Sequence, residues 1–164
     1  MKLEDHKKYN PGSLRKATLC FLIRGDEILL AMKKKGFGVN RWNGVGGKPE
    51  GDEKIEATMV RETQEEIMVT PTMYKQVAVL DFYNTLHSEW NQRVVVYFAN
   101  EWIGEPMETM EMAPQWFKMN NLPFDSMWPD DPYWLPRVLK GEKIEAEFLF
   151  GEKDSVLDWA VVEA

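Results

Sequence analysis

The chain has 164 residues, 44% apolar and 12% aromatic, a composition from which one domain with a sizeable core is expected. A formal net charge of −7 argues against broad binding to nucleic-acid polymers. No apolar run reaches transmembrane length or signal-peptide form, and one cysteine excludes an intramolecular disulfide, so a reducing cytoplasm is the expected setting.

In chain order, residues 1–13 read as a flexible extension of a single domain spanning 1–164. His6, like His87 further on, reads as an ordinary surface or loop residue. Thr18 to Ile23 and Glu27 to Ala31 are β-rich runs separated by Arg24-Gly25-Asp26, a hairpin signal, and Cys20 falls in the first as a buried, inert thiol. From Lys33 to Lys48 the chain carries Lys33, Lys34, Lys35, Arg41 and Lys48 without an acid, and ends in Gly44, Gly46 and Gly47. Those glycines permit backbone conformations other residues avoid, so a carbonyl and amides can approach a metal or phosphate. Gly51-Asp52 predicts a helix start with Asp52 as cap and Glu53 and Glu56 in the first turn. Gln76 to Tyr83 and Arg93 to Ala99 are strands joined by a polar loop with His87 and Trp90, and Ala113 to Lys118 is a further short strand. Asp131-Pro132 predicts a cap and first helical residue, opening a helix to about Lys140. Glu145 to Phe150 and Ser155 to Trp159 form a terminal hairpin. The expected architecture is an α/β/α sandwich, one mixed β-sheet between helices.

The helix after Gly51 carries the chemistry. Ile55, Met59, Val60 and Ile67 form its apolar stripe, while Glu62, Glu65 and Glu66 stand at i, i+3 and i+4 on one side. Like charges at that spacing repel by roughly 0.2 to 0.5 kcal/mol per pair, and Arg61 alone cannot neutralise three. A solvated acidic face is the bland alternative. It is disfavoured because Glu62 and Glu66 fall at the edge of the apolar stripe, where a carboxylate is costly unless paired. A hard divalent cation with oxygen ligands resolves the conflict, and Mg²⁺ suits a site shared with phosphates.

This segment resembles the Nudix hydrolases, whose signature is matched by Gly47, Glu53, Arg61, Glu62, Glu65, Glu66 and Val69. Two positions depart. Thr63 replaces an apolar residue, where its methyl can pack and its hydroxyl bond back one turn, and Met68 replaces the terminal glycine, so the helix is expected to end differently, near Thr70-Pro71.

A second constellation, Met127-Trp128-Pro129-Asp130-Asp131-Pro132-Tyr133-Trp134, offers an aromatic platform and two adjacent carboxylates to a nucleobase. Two aspartates in one desolvated pocket would have one pKa raised, so that one donates while the other accepts. With Lys33 to Gly38 and Arg41 to Gly44, this stretch resembles the animal-type oxidised purine nucleoside triphosphatases from about Leu14 onward.

That resemblance implies base-pocket roles for Thr18, Phe37, Asn43, Phe82, Trp128, Asp130 and Asp131, with Lys33 nearby and Lys48 on phosphate. It implies a metal site of Glu62, Glu65, Glu66, the Gly46 carbonyl and Glu111, in which Glu62 is a ligand or general base oriented by Arg61. The reaction implied is attack of water at phosphorus of 8-oxo-dGTP or 2-hydroxy-dATP, giving monophosphate and pyrophosphate, with Mg²⁺, or Mn²⁺ in its place. A monomer acting on a small nucleotide, with no polymer or membrane partner, is expected. The alternatives are a Nudix hydrolase for another nucleoside polyphosphate or phosphoanhydride, and a nucleotide-binding sensor without turnover. In the far wall, the loop from Asn84 to Asn91 is one residue longer than in those relatives, and Gln92 or Arg93 stands where they carry methionine.

Overall fold

The computed structural model describes residues 1–164. Eight strands form one mixed sheet: β1 (Arg15–Arg24), β2 (Glu27–Lys33), β3 (Trp42–Asn43), β4 (Thr70–Asn84), β5 (Gln92–Ile103), β6 (Met112–Lys118), β7 (Ile144–Phe150) and β8 (Val156–Glu163). Their order is β3-β2-β1-β5-β4-β7-β8, with β6 on the other side of β2. β1 and β5 run parallel, as do β4 and β7, and the remaining pairs are antiparallel. Three helices complete the chain: α1 (Leu3–Tyr9), α2 (Ile55–Ile67) and α3 (Asp131–Leu139).

Strand alternation divides the core between the two faces of the sheet. On one side Cys20, Leu22, Tyr97 and Ala99 pack with Met59 and Ile67 of α2. On the other, Phe21, Val94, Val96, Leu80 and Phe148 pack with Trp134, Leu135 and Val138 of α3. A fully buried side chain of this size contributes roughly 1.5 to 3 kcal/mol, so three residues suffice to seat the short α3. Burial pushes the Cys20 thiol up to about 12, which keeps it inert.

Several local expectations are corrected. The first residues are not a flexible extension: α1 docks through buried Leu3 and His6, one turn apart, against Tyr83 and Leu149, and Asp158 Oδ2 accepts from Leu3 N (2.8 Å). Two buried residues in seven are too few to display a period, and His6 is accordingly no surface residue. α2 begins at Ile55 rather than at Asp52, because Glu53 is drawn inward by Thr58 Oγ1 (2.7 Å) and Arg61 (2.9 Å) and the chain turns helical only after it. α3 begins at Asp131 and not after it, since both aspartate carboxylates are buried instead of capping. β4 and β5 run longer than their apolar runs because bulges at Pro71/Met73, Met73/Tyr74 and Gln76/Ala78 break the alternation that would reveal them.

Thr63 is fully buried and its hydroxyl donates to Met59 O (2.8 Å), as its position in the stripe predicts. Met68 itself takes the left-handed conformation (φ 64°) that glycine usually fills, with its N–H on Gln64 O, so α2 stops at Ile67 and not near Thr70-Pro71. A side chain there costs roughly 1 kcal/mol or more, and Met68 is half exposed with little packing to lose. Replacing Met68 with glycine is therefore expected to stabilise the fold by about 0.5 to 1 kcal/mol, read as a higher urea midpoint at unchanged slope; a lower midpoint would contradict the strain assignment.

Candidate active site

β1 and β2 pair only beside their hairpin, at Ile23↔Ile28 and Arg24↔Glu27, and then separate. The segment after β3 enters the gap and completes the pairing of β1: Cys20 and Val45 exchange backbone hydrogen bonds (2.6 and 3.0 Å), and Thr18 N donates to Gly47 O (2.8 Å). A Cβ at Gly46 would lie 1.8 Å from Thr18 O, and one at Gly47 would lie 2.3 Å from the Glu62 carboxyl carbon. Neither glycine, nor Gly44, has a positive φ. They are required for closeness rather than for unusual dihedrals, which corrects the sequence reading.

The loop thereby meets α2. Arg61 lies at the centre of the contact, donating from Nε and Nη2 to both oxygens of Glu53 (2.9 Å each), from Nη1 to Glu62 Oε1 (2.9 Å) and Glu65 Oε2 (3.2 Å), and from Nη2 to Lys48 O (3.0 Å). The Arg61 guanidinium holds the Glu53 carboxyl down at about 2. Glu66 is 4% exposed and accepts only a long bond from Gly46 N (3.3 Å). Desolvation, reinforced by the Glu62 charge, pushes its carboxyl up to about 8, while Lys33 pulls the other way. Glu62 is raised as well, first by burial. Glu111 is exposed on the segment leading into β6, yet its charge acts on both Glu62 and Glu66.

No three of these side chains converge into a ready-made cage. The donor set nevertheless fits a hard divalent cation: a nearly buried carboxylate with one weak partner, Glu62 and Glu111 within electrostatic range and a backbone segment pressed against the acids.

From the glycine loop a cavity of about 240 Å³ runs across the splayed strands, and every residue predicted to contact substrate lines it: Thr18, Lys33, Phe37, Asn43, Lys48, Phe82, Trp128, Asp130 and Asp131. Gly46 also lines it; Arg61, Glu62, Glu65, Glu66 and Glu111 lie beyond that wall. Thr18 Oγ1 is committed to Gly47 (3.3 Å), so its first job is to hold the loop. Asn43 Oδ1 accepts from Gly44 N (2.8 Å), which fixes the amide plane. Phe82 stacks on Phe148 (5.7 Å, 20°) and belongs to wall and core at once.

At the closed end, Asp130 and Asp131 are buried side by side. Trp134 Nε1 donates to Asp130 Oδ2 (2.8 Å), whereas Asp131 Oδ2 has no partner. Burial pushes the Asp130 carboxyl up to about 6, and burial together with the Asp130 charge raises Asp131 well above the usual range. The pair is built to share a proton, one carboxyl donating and one accepting.

Arg41, Trp90 and Asp154 are among the lining residues that the sequence did not mark as site residues. Arg41 lies over the Trp128 ring (4.1 Å) and pairs with Asp154 (3.2 Å), while Phe37 contacts both Trp128 and Trp90 (5.0 Å each) across the mouth. Asp154 comes from the β7–β8 connection, where left-handed Lys153 and Asp154 (φ 54° and 57°) turn it toward the cavity; no motif announces it. Arg41 and Trp90 carried only the signal of lying in the basic run and the polar loop. The ambiguity at the far wall is resolved by strand alternation, with Gln92 facing the cavity and Arg93 turned away to clasp Asp81 (2.7 and 2.8 Å).

A family model described as the NUDIX domain matches residues 13–138. The chain belongs to the Nudix hydrolase family. This Nudix hydrolase is 37% identical over 146 residues to the mouse oxidized purine nucleoside triphosphate hydrolase, spanning 89% of this chain and 93% of that one. It is 36% identical over 141 residues to the zebrafish protein of the same name, spanning 86% and 90%. Among solved structures, a MutT protein from Bacillus halodurans superposes with a TM-score of 0.75 at 20% identity over 90% of this chain and 97% of that one. A MutT Nudix hydrolase from Burkholderia pseudomallei gives 0.63 at 26% identity over 68% and 88%. Nudix hydrolases generally use divalent metal ions and act on small-molecule substrates.

The buried aspartates set a pH signature. Their folded pKa values lie above the unfolded value of 3.8, so the folded state binds more protons, and the stability they allow is complete below about pH 4 and declines as pH rises through 6. In metal-free protein, Asp131→Asn is expected to flatten the fall in melting temperature between pH 4 and 7; an unchanged slope would show that the pair is not protonated as described.

Proposed function

We propose that this Nudix hydrolase converts oxidised purine nucleoside triphosphates, 8-oxo-dGTP and 2-hydroxy-dATP among them, to the monophosphate and pyrophosphate. The reading is carried by one observation, the buried Asp130–Asp131 pair in an aromatic-walled cavity that is also lined by the Gly46–Lys48 loop, which is pressed against the acidic helix. A shared proton lets the pair meet a purine edge that presents either a donor or an acceptor, and Asn43 adds an amide with both. The names of the mouse and zebrafish relatives agree with it.

Glu62, Glu65, Glu66 and Glu111, with the Gly46 carbonyl, would hold Mg²⁺, for which Mn²⁺ can substitute. Bound there, the metal supplies charge neutralisation on phosphate oxygens and a more acidic water. The chain's own groups do the rest. Arg61 fixes Glu62 through Oε1 and leaves Oε2 for a ligand or for the proton released by the attacking water. Lys33 and Lys48, both lining the cavity, offset the negative charge of the phosphates. Trp128 offers an aromatic face to the base and Phe37, packed against Trp128 at the mouth, shields it, and excluding water there strengthens every polar contact to the base edge. The cavity's size suits a small nucleotide, the proposed setting is a monomer in the cytoplasm, and no helix of the chain is long and apolar enough to cross a membrane.

With Mg²⁺, kcat/KM should favour 8-oxo-dGTP and 2-hydroxy-dATP over dGTP and dATP; equal rates would move the substrate to another phosphoanhydride, and binding without turnover would favour a sensor. Glu66→Gln should leave the fold intact and lower turnover on the order of a hundredfold or more. Near-normal activity of that variant would remove Glu66 from the metal site.

A further inference from the structure

α2 ends without a glycine, and its last carbonyls need partners that its own sequence does not provide. The segment entering β6 supplies them. Met107 N donates to Ile67 O (3.0 Å), and Thr109 Oγ1 donates to Glu66 O (2.8 Å). The same hydroxyl accepts from Glu111 N (3.3 Å) and Met112 N (3.2 Å), and Thr109 N closes the turn onto Met112 O (2.9 Å). One oxygen thus joins the main chain of Glu66 to the main chain of Glu111, two acids from elements far apart in sequence.

Lys34 secures the turn from the other side. Its N–H donates to Glu111 O (3.0 Å), and its ammonium donates to Thr109 O (2.7 Å) and pairs with Glu108. Glu111 itself is exposed, so no packing of its side chain determines where it stands. Its placement beside Glu62 and Glu66 depends on the backbone turn that Thr109 closes.

We infer that Thr109 is a positioning residue for the metal site, holding Glu111 against α2 through the bridge from Glu66 O to Glu111 N. The inference rests on the metal-binding reading of the four glutamates and adds the group that brings the distant one to the other three. Thr109→Val keeps the shape and removes the bridge, whereas Thr109→Ser keeps the hydroxyl. Mn²⁺ binding, measured by electron paramagnetic resonance on the full chain without nucleotide, separates the possibilities. Expected are a loss of affinity of about tenfold for Thr109→Val, near-normal affinity for Thr109→Ser, and no further loss when Thr109→Val is added to Glu111→Gln. Thr109→Ala, measured in parallel, reads the same loss should the valine variant misfold.

Wild-type affinity in Thr109→Val, or losses that add in full with Glu111→Gln, would overturn the inference while leaving the metal site standing. A wild-type chain that binds no Mn²⁺ would overturn the metal reading itself.

Discussion

Everything in the site depends on the failure of β1 and β2 to pair along their length. A complete hairpin would satisfy its own backbone and leave no opening in the sheet. Because the strands separate, backbone groups of Thr18 and Cys20 need partners, and the glycine loop provides them at a distance that excludes any side chain at Gly46. The same insertion presses Gly47 on Glu62 and puts Gly46 N on Glu66, so the sheet defect that opens the cavity also assembles its acidic end.

The two ends of the cavity solve one electrostatic problem in different ways. Both bury carboxylates close to one another, at a cost that isolated charges could not sustain. At the glycine loop, Arg61 restrains three acids and leaves Glu66 raised and underpartnered, a state that a divalent cation would relieve. At the far end no cation is in contact with the aspartates, so a retained proton does the same work and converts a charge conflict into a donor and an acceptor.

The α2 segment was legible because the spacing of Glu62, Glu65 and Glu66 is a property of one helix, readable without tertiary contacts; of the expected stripe Met59 and Ile67 are buried, while Ile55 and Val60 are only partly so and Thr63 and Glu66 complete the inward face. The Trp128–Asp131 cluster was legible for the same local reason. What local sequence could not show was geometry created between distant segments. The need for Gly46 comes from Thr18 O, a strand away, and the left-handed Met68 is tolerated because Met107 and Thr109 cap the helix end from the β6 approach. Arg41 and Asp154 meet only after the terminal hairpin folds over the mouth, and α1 declares itself only through Leu3 and His6 finding Tyr83. Boundaries moved where a polar residue had two uses, as with Glu53, taken by Arg61, and Asp131, taken by the cavity.

The central claim is that the closed end of the cavity reads an oxidised purine independently of the metal. Calorimetric titration of metal-free protein with the product nucleotides 8-oxo-dGMP and dGMP tests it most directly, because neither catalysis nor phosphate coordination contributes. Tighter binding of 8-oxo-dGMP, with the preference abolished in Asp130→Ala, is the predicted result. Equal affinity for the two nucleotides would contradict the assignment of the aspartate pair as the base-reading element.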